Sequence, residues 1–279
     1  VSATAPVDPN HFLWVADFLY TEAGIVLTPE KSYLVQTRLT PLLRIFDLPD
    51  LALMFARLRS RTNPNLALAV VDAFTTNETS FFRDLHPFDT LAADILPAMV
   101  AKRESTRVLR IWSAACSTGQ EPYTLGMLLR NHFPELRPWD VKILATDLCT
   151  NALSIAQAGL YRPNEVSRGL DERYVKRFFK PVGRKFQISS DIADLVHFER
   201  FNLVTQLRAD GPFDIIFLRN VLIYFDEQTR NVVLSRMRDL LAPDGILMLG
   251  GSEAACQMPD GFATQRHERT TWHMRKSAT

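Results

Sequence analysis

Between Pro9 and Phe74 the apolar residues recur at three- and four-residue spacing: Phe12, Val15, Phe18 and Leu19; Leu34, Leu39, Leu42 and Leu43; Leu51, Phe55 and Leu58; Leu66, Val70, Val71 and Phe74. That period fits helices with one face turned inward, so the stretch predicts a small unit of roughly three to five helices. Thr28-Pro29-Glu30-Lys31 supplies a capping residue, a proline at the first helical position and an acid in the first turn, which predicts a helix start there. No strand-like alternation appears before residue 107. The segment from Thr75 to Pro87 breaks the helical period, and Phe88 to Arg103 resumes it.

Beyond that point the texture changes. Short apolar runs at Val108–Trp112, Val141–Ala145, Phe213–Leu218 and Gly245–Leu249 read as strands, with helices near 121–131, 150–158 and 227–241. Alternation of this kind predicts a doubly wound, mainly parallel sheet. The stretch from Tyr161 to Phe201 interrupts it: Leu170 to Phe179 reads as helix, and Phe186–Ile188 and Leu195–Phe198 as short strands. It carries too many apolar residues for a linker and is expected to form a small inserted subdomain.

Composition fits an ordinary globular chain: of 279 residues 47% are hydrophobic and 23% charged, with formal net charge +1. At about 150 residues per domain the length allows roughly two domains, each able to bury a core. Charge this balanced argues against a nucleic-acid binder working through bulk positive charge, and no nucleic acid is expected as a partner. Cys116, Cys149 and Cys256 are odd in number and too widely spaced for a Cys-x-x-Cys pattern, so no metal is expected and a reducing cytoplasm is the expected home. Val1 to Asn10 has no basic segment ahead of an apolar core, and no apolar run reaches the roughly 18 to 20 residues of a membrane span. Neither secretion nor direct membrane insertion is expected, so the sequon Asn77-Glu78-Thr79 is read otherwise than as a glycosylation site.

In an open parallel sheet, ligands sit outside the carboxyl ends of the strands. After the first strand comes Ser113-Ala114-Ala115-Cys116-Ser117-Thr118-Gly119-Gln120-Glu121-Pro122, a turn of small residues entering a helix. It lacks Gly-x-Gly-x-x-Gly and any Gly-Lys-Ser/Thr, which weakens the dinucleotide and nucleoside-triphosphate readings. Glu121 would repel a pyrophosphate and pair with a cationic amino group, or else it serves only the helix dipole. The second strand ends in Ala145-Thr146-Asp147, an acid suited to the hydroxyls of a ribose. Two acids without a phosphate signature favour S-adenosylmethionine and make methyl transfer the leading reaction class, with an NAD-dependent oxidoreductase the distant alternative. Thr75–Asp84 is either a polar and aromatic site block or a capped turn with Phe81 and Phe82 in the core. Asn220, after the strand Phe213–Leu218, either joins the carboxyl edge or is a loop asparagine with Tyr224 packed behind it.

Four blocks in order carry a resemblance: Asn77-Glu78-Thr79-Ser80-Phe81-Phe82-Arg83, Trp112 to Tyr123, Ala145-Thr146-Asp147 with Asn151-Ala152-Leu153, and Phe213-Asp214 to Asn220-Val221-Leu222-Ile223-Tyr224-Phe225. Over residues 10 to 275 the sequence resembles the CheR family, the chemotaxis receptor glutamate methyltransferases. The resemblance implies an α/β fold: a Rossmann-like S-adenosylmethionine-dependent methyltransferase domain with a small inserted β-subdomain and an all-α N-terminal domain. The corresponding boundaries are 9–74 for the helical, receptor-recognising domain, 75–105 for a linker and cofactor-contacting segment, and 106–279 for the methyltransferase domain with its insert at about 161–201.

The implied cofactor is S-adenosylmethionine, leaving S-adenosylhomocysteine, with no metal. Residue by residue, the cofactor contacts fall on Asn77, Thr79, Arg83, Glu121, Asp147, Asn202, Leu203, Arg219 and Asn220. Asp147 is expected on the ribose, Glu121 at the methionine amino group and Asn202-Leu203 beside the adenine; Arg83 and Tyr224 match the positions nearest the transferred methyl and are the expected catalytic residues. A glutamate acceptor, with a reference pKa of about 4.3, is already an anion at neutral pH and needs no general base. His86, His197 and His267 are accordingly read as structural or surface residues.

The implied partner is the cytoplasmic helical bundle of chemoreceptors, met by a basic face of Lys31, Arg38, Arg44, Arg57, Arg59 and Arg61, or else these form only a solvated face. The stretch Phe179–Phe186 is short with one glycine and resembles the type that works without a receptor tethering peptide. A monomer is expected. Leu148-Cys149 and Gly250-Gly251-Ser252-Glu253 depart from the family pattern and are expected to touch none of the reacting groups. A methyltransferase for another signalling protein, and a non-catalytic module that senses the cofactor, stand as alternatives.

Overall fold

The computed structural model describes residues 8–208, 210–253 and 255–276. Among the described residues two compact units emerge, one made of the chain through Thr76 with Tyr224–Thr229, the other of the chain from Asn77 to Ile223 and from Arg230 onward.

The first unit holds α1 (Pro9–Ala23), α2 (Tyr33–Ile45), α3 (Leu51–Arg59) and α4 (Pro64–Phe74). Short polar side chains start three of them: Asp8 accepts from the Asn10 amide, Asp50 from Leu53 and Asn63 from Leu66, at 2.7, 2.8 and 3.0 Å. Such caps satisfy amides that a helix start otherwise leaves unpaired. The inward stripes meet in one core, with Val15, Leu19, Val35, Leu39, Leu66 and Val70 wholly buried. The helix expected to start at Pro29 is only a 3-10 turn, Pro29–Lys31, with no side-chain cap from Thr28; α2 begins at Tyr33.

The second unit opens with one helical run: α5 (His86–Thr90), a π-helical turn (Leu91–Ile95) and α6 (Leu96–Arg103). Phe88, Leu91 and Leu96 bury in the core beneath the main sheet, so this segment belongs to the sheet's packing. There follow β1 (Val108–Ala114), α7 (Gln120–His132), β2 (Asp140–Asp147) and α8 (Thr150–Ala158). Next come β3 (Leu160–Tyr161), α9 (Pro163–Ser167), α10 (Glu172–Phe178), β4 (Phe179–Val182), β5 (Lys185–Ile188) and α11 (Ser190–Ala193). The chain closes with β6 (Val196–Arg200), β7 (Phe213–Leu218), α12 (Glu227–Leu240), β8 (Leu241–Leu249), β9 (Phe262–His267) and β10 (Thr270–Arg275).

The seven-stranded sheet runs β6-β2-β1-β7-β8-β10-β9. β6, β2, β1, β7 and β8 are parallel, and β10 and β9 add antiparallel. β7 is buried along its whole length, as a strand covered on both faces must be. Strand order reverses between β1 and β7, which places the ligand crevice at their carboxyl ends.

One expectation needs correction. The strand read at Leu195–Phe198 as part of the insert is β6, and it pairs with β2 on the edge of the main sheet. The separate small sheet is β3-β5-β4, whose β4–β5 hairpin turns on Gly183 and Arg184. Pairing register, which a short apolar run does not encode, decides which sheet takes a strand.

Candidate active site

The turn from β1 into α7 is unusually tight, with Ala115 and Ser117 both in the left-handed region at φ 66° and 51°. Its amides are turned inward. Cys116 N–H donates to the Thr146 carbonyl at 2.9 Å, Ser117 N–H to Asp147 Oδ2 at 2.7 Å and Gly119 N–H to the Cys116 carbonyl at 3.0 Å. Asp147, at the tip of β2 and 7% exposed, takes a further amide, from Cys149, on Oδ1 at 2.9 Å. Burial, with Asp147 and Glu121 nearby, pushes the Cys116 thiol well up, so it stays protonated. Tyr161 supports the turn by donating its hydroxyl to the Thr118 carbonyl at 2.8 Å, and burial raises that phenol too.

At the start of α7, Glu121 accepts from Ser113 Oγ at 2.8 Å and from Arg219 Nη1 at 3.0 Å. Arg219 leaves the tip of β7 and is buried; its Nη2 donates to the Arg83 carbonyl at 2.9 Å and to Asp84 Oδ2 at 2.8 Å, and the guanidinium stands 5.5 Å over the Phe88 ring. Its Nε finds no acceptor within the described residues.

The block Asn77–Asp84 has no regular structure and runs along these strand tips. The Asn77 carbonyl accepts from Ser117 Oγ at 2.9 Å and its Nδ2 reaches Cys149 Sγ at 3.3 Å, while Thr79 is half-buried. Arg83 Nη1 donates back to the Glu78 carbonyl at 2.8 Å. Phe81 is fully buried and Gly169 passes so close that an added Cβ would lie 2.0 Å from the Phe81 carbonyl oxygen. Phe81 thus anchors the core, Phe82 packs partly buried against it, and the polar residues of the block lie along the strand tips.

Beyond β6, the Phe201 amide bonds the Asp147 carbonyl at 3.0 Å, which brings Asn202 and Leu203 to the same edge. Asn202 Oδ1 accepts from the Val204 amide at 2.9 Å, and the Leu203 carbonyl accepts from Arg236 at 3.0 Å. Asn220 follows Arg219 in the left-handed region at φ 59°. Tyr224 ends a 3-10 turn (Leu222–Tyr224) and falls within the first unit, where its carbonyl accepts from Val26 N–H at 3.1 Å.

Leu148-Cys149 and Gly250–Glu253, expected to touch none of the reacting groups, do contact residues that are candidates for holding the cofactor. Cys149 contacts Asp147 and Asn77, and Glu253 accepts from the amide of Asn220 at 2.7 Å. Ser113, Ser117, Asp84 and Glu253 are the residues that the sequence did not single out; the first three sit inside motifs already quoted, whereas Glu253 carried no signal beyond an acid after two glycines.

What this cleft can hold follows from its donors and acceptors. A phosphate needs unpaired backbone amides at the turn, and here the amides of Cys116, Ser117 and Gly119 are already bonded within the protein. Carboxylates at the tips of β2 and α7 suit hydroxyls and an ammonium group instead. The residues present therefore fit S-adenosylmethionine.

Comparison with known proteins agrees. The model for the CheR methyltransferase all-alpha domain matches residues 10–75, and that for the CheR methyltransferase SAM binding domain matches residues 77–271. The chain belongs to the CheR methyltransferase family. It is similar to a chemotaxis protein methyltransferase of Vibrio parahaemolyticus serotype O3:K6, at 40% identity over 253 residues covering 89% of this chain and 90% of that one. Chemotaxis protein methyltransferase 1 of Pseudomonas aeruginosa is 39% identical, covering 88% and 90%, and that of Escherichia coli K12 is 37% identical, covering 87% and 84%. As a member of the family the chain is an S-adenosylmethionine-dependent methyltransferase. No helix among the described residues is long and apolar enough to cross a membrane.

Proposed function

We propose that the chain transfers the methyl group of S-adenosylmethionine to glutamate side-chain carboxylates on the cytoplasmic helical bundle of chemoreceptors, giving glutamate methyl esters and S-adenosylhomocysteine. The observation that carries this reading is the placement of Glu121 in the first turn of α7 and Asp147 at the tip of β2, on either side of a turn whose Cys116, Ser117 and Gly119 amides are bonded within the protein.

When bound, S-adenosylmethionine supplies a methyl group activated by the adjacent sulfonium. Asp147 holds the ribose hydroxyls, Glu121 faces the amino group of the methionine tail, and Asn202 and Leu203 flank the adenine, with Asn77, Thr79, Arg219 and Asn220 completing the lining. Arg83 orients the acceptor carboxylate: a guanidinium has five donors, so it keeps its bond to the Glu78 carbonyl while gripping an anion. Tyr224 matches the family position nearest the transferred methyl and is the second catalytic candidate. The acceptor is already ionised at neutral pH, so what the chain contributes is in-line positioning and removal of water from the carboxylate.

Residues 9–74 form the receptor-recognising domain in this reading, 75–105 the cofactor-contacting link, and 106–279 the catalytic domain. Within the proposed basic face, Arg38 is withdrawn: its Nη1 donates to the Ala73 and Thr75 carbonyls at 3.1 and 3.3 Å and its guanidinium covers Phe74. Lys31, Arg44, Arg57, Arg59 and Arg61 stay exposed and carry the docking. A β4–β5 turn of only Gly183 and Arg184 supports action without a tethering peptide, and a monomer acting in the cytoplasm completes the proposal.

The test is incubation with methyl-labelled cofactor and receptor cytoplasmic fragments. Base-labile label on glutamate is the expected result. Label only on a different signalling protein would redirect the substrate, and cofactor binding without label on any target would leave a sensor.

A further inference from the structure

Glu253 is fully buried, and four backbone amides close on its carboxylate. Oε2 accepts from Asn220 and Gly250 at 2.7 and 2.8 Å; Oε1 accepts from Val221 and Leu222 at 2.8 and 2.7 Å. A charge is expensive to bury and is retained where several donors compensate it. These donors come from two segments, one just beyond β7 and one just beyond β8, so a single side chain locks the ends of neighbouring strands together. Space is as restricted as charge: a Cβ on Gly250 would stand 2.7 Å from Glu253 Oε2, 2.9 Å from the Asn220 amide nitrogen and 2.9 Å from Asn220 Nδ2. Asn220 itself is at φ 59°, a left-handed conformation that asparagine tolerates better than other side-chain-bearing residues, and the Glu253 carboxylate holds its amide there.

We propose that Glu253 is a positioning residue for cofactor binding: it imposes the left-handed turn at Asn220 and so aims the Asn220 carboxamide into the cleft before cofactor arrives. This inference rests on the reading of Asn220 as a cofactor contact. Glu253 touches no reacting group and acts through the four amides.

Glutamine in its place offers one acceptor oxygen and turns a donor toward two of the four amides, so either the Asn220 and Gly250 pair or the Val221 and Leu222 pair loses its acceptor. Glu253→Gln is expected to weaken S-adenosylhomocysteine binding roughly tenfold by calorimetry, the scale of one lost buried bond. Asn220→Ala is expected to weaken it comparably, and the double variant no further than either alone. Additive losses would mean a general structural role and overturn the proposal, as would Asn220→Ala without effect. Gly250→Ala, which presses on Asn220 from the other side, is expected to reproduce the loss. Should the variants fail to fold, hydrogen exchange of the cofactor-free wild type decides: the amides of Asn220, Val221 and Leu222 must exchange slowly, and fast exchange overturns the proposal. A wild type that does not bind S-adenosylhomocysteine would refute the cofactor reading itself, whereas wild-type binding that Glu253→Gln leaves intact refutes only this role.

Discussion

Arg219 Nη1 and Glu121 Oε2 meet at 3.0 Å with the arginine side chain 2% exposed and the glutamate 12%, an ion pair that ties the tip of β7 to the first turn of α7. The other terminal nitrogen already serves Asp84 and the Arg83 carbonyl, so one guanidinium holds the Asn77–Asp84 block against the sheet. Arg219→Met leaves a nearly buried carboxylate without its cation. Breaking such a pair costs about 3 to 5 kcal/mol, and urea unfolding of Arg219→Met is expected to show a loss on that scale. Glu121→Gln, which leaves Arg219 paired with Asp84, is expected to cost less stability.

Asp147 offers a different balance. Both of its oxygens accept a backbone amide, from Ser117 and Cys149, and a carboxamide can replace only one of them. Asp147→Asn is expected to lower stability by roughly 1 to 3 kcal/mol. Calorimetry should also show at least about a tenfold weaker grip on S-adenosylhomocysteine.

Gly169 sits at φ +106° with the Phe81 carbonyl where a side chain would begin. Gly169→Ala must displace that carbonyl and with it the segment leading to Arg83. A loss of more than about 1 kcal/mol is expected, together with a fall in turnover, and a variant with wild-type melting temperature and rate would show that the segment yields freely.

His273, on β10 and 3% exposed, is held by Thr264 Oγ1 on Nδ1, and burial pushes its pKa down to about 4 from the ordinary 6.5. Between those values the unfolded chain takes up a proton that the folded chain refuses. The group's contribution is therefore complete above about 6.5 and is lost as pH falls through about 4. In His273→Gln that dependence disappears, so the stability difference between the two chains should shrink steadily as pH is lowered across this window. A difference independent of pH would mean that His273 titrates normally.

The sheet's central strands and the four helices of the first unit were readable because burial imposes a period that the sequence must obey; β7 is apolar throughout and α4 repeats its stripe cleanly. What escaped was set by partners far along the chain. β9 and β10 went unread because Ala263-Thr264-Gln265-Arg266 is an edge segment with mostly exposed, polar side chains. β4 carries no strand signal because it contains Pro181 and only Phe179 is buried. Arg38 looked like a free surface charge, although the carbonyls it satisfies lie 35 and 37 residues away. In the site, the carboxylates at strand tips were visible from position alone, while Glu253 was not: its significance comes from amides 31 to 33 residues earlier that reach it only once two strands lie side by side.

In the proposed cytoplasmic setting, the inward-turned amides of Cys116, Ser117 and Gly119 bear on which adenosine compounds compete for the cleft. Adenine nucleotides carrying phosphates far outnumber most other adenosine compounds there, and they share the ribose and base that this cleft would grip. A pyrophosphate brought to this turn would find the amides of Cys116, Ser117 and Gly119 already bonded and a glutamate close by. In the proposed reading discrimination would then come from refusal: a competitor would be disfavoured at the one group it cannot shed, while the shared adenosine could still be held.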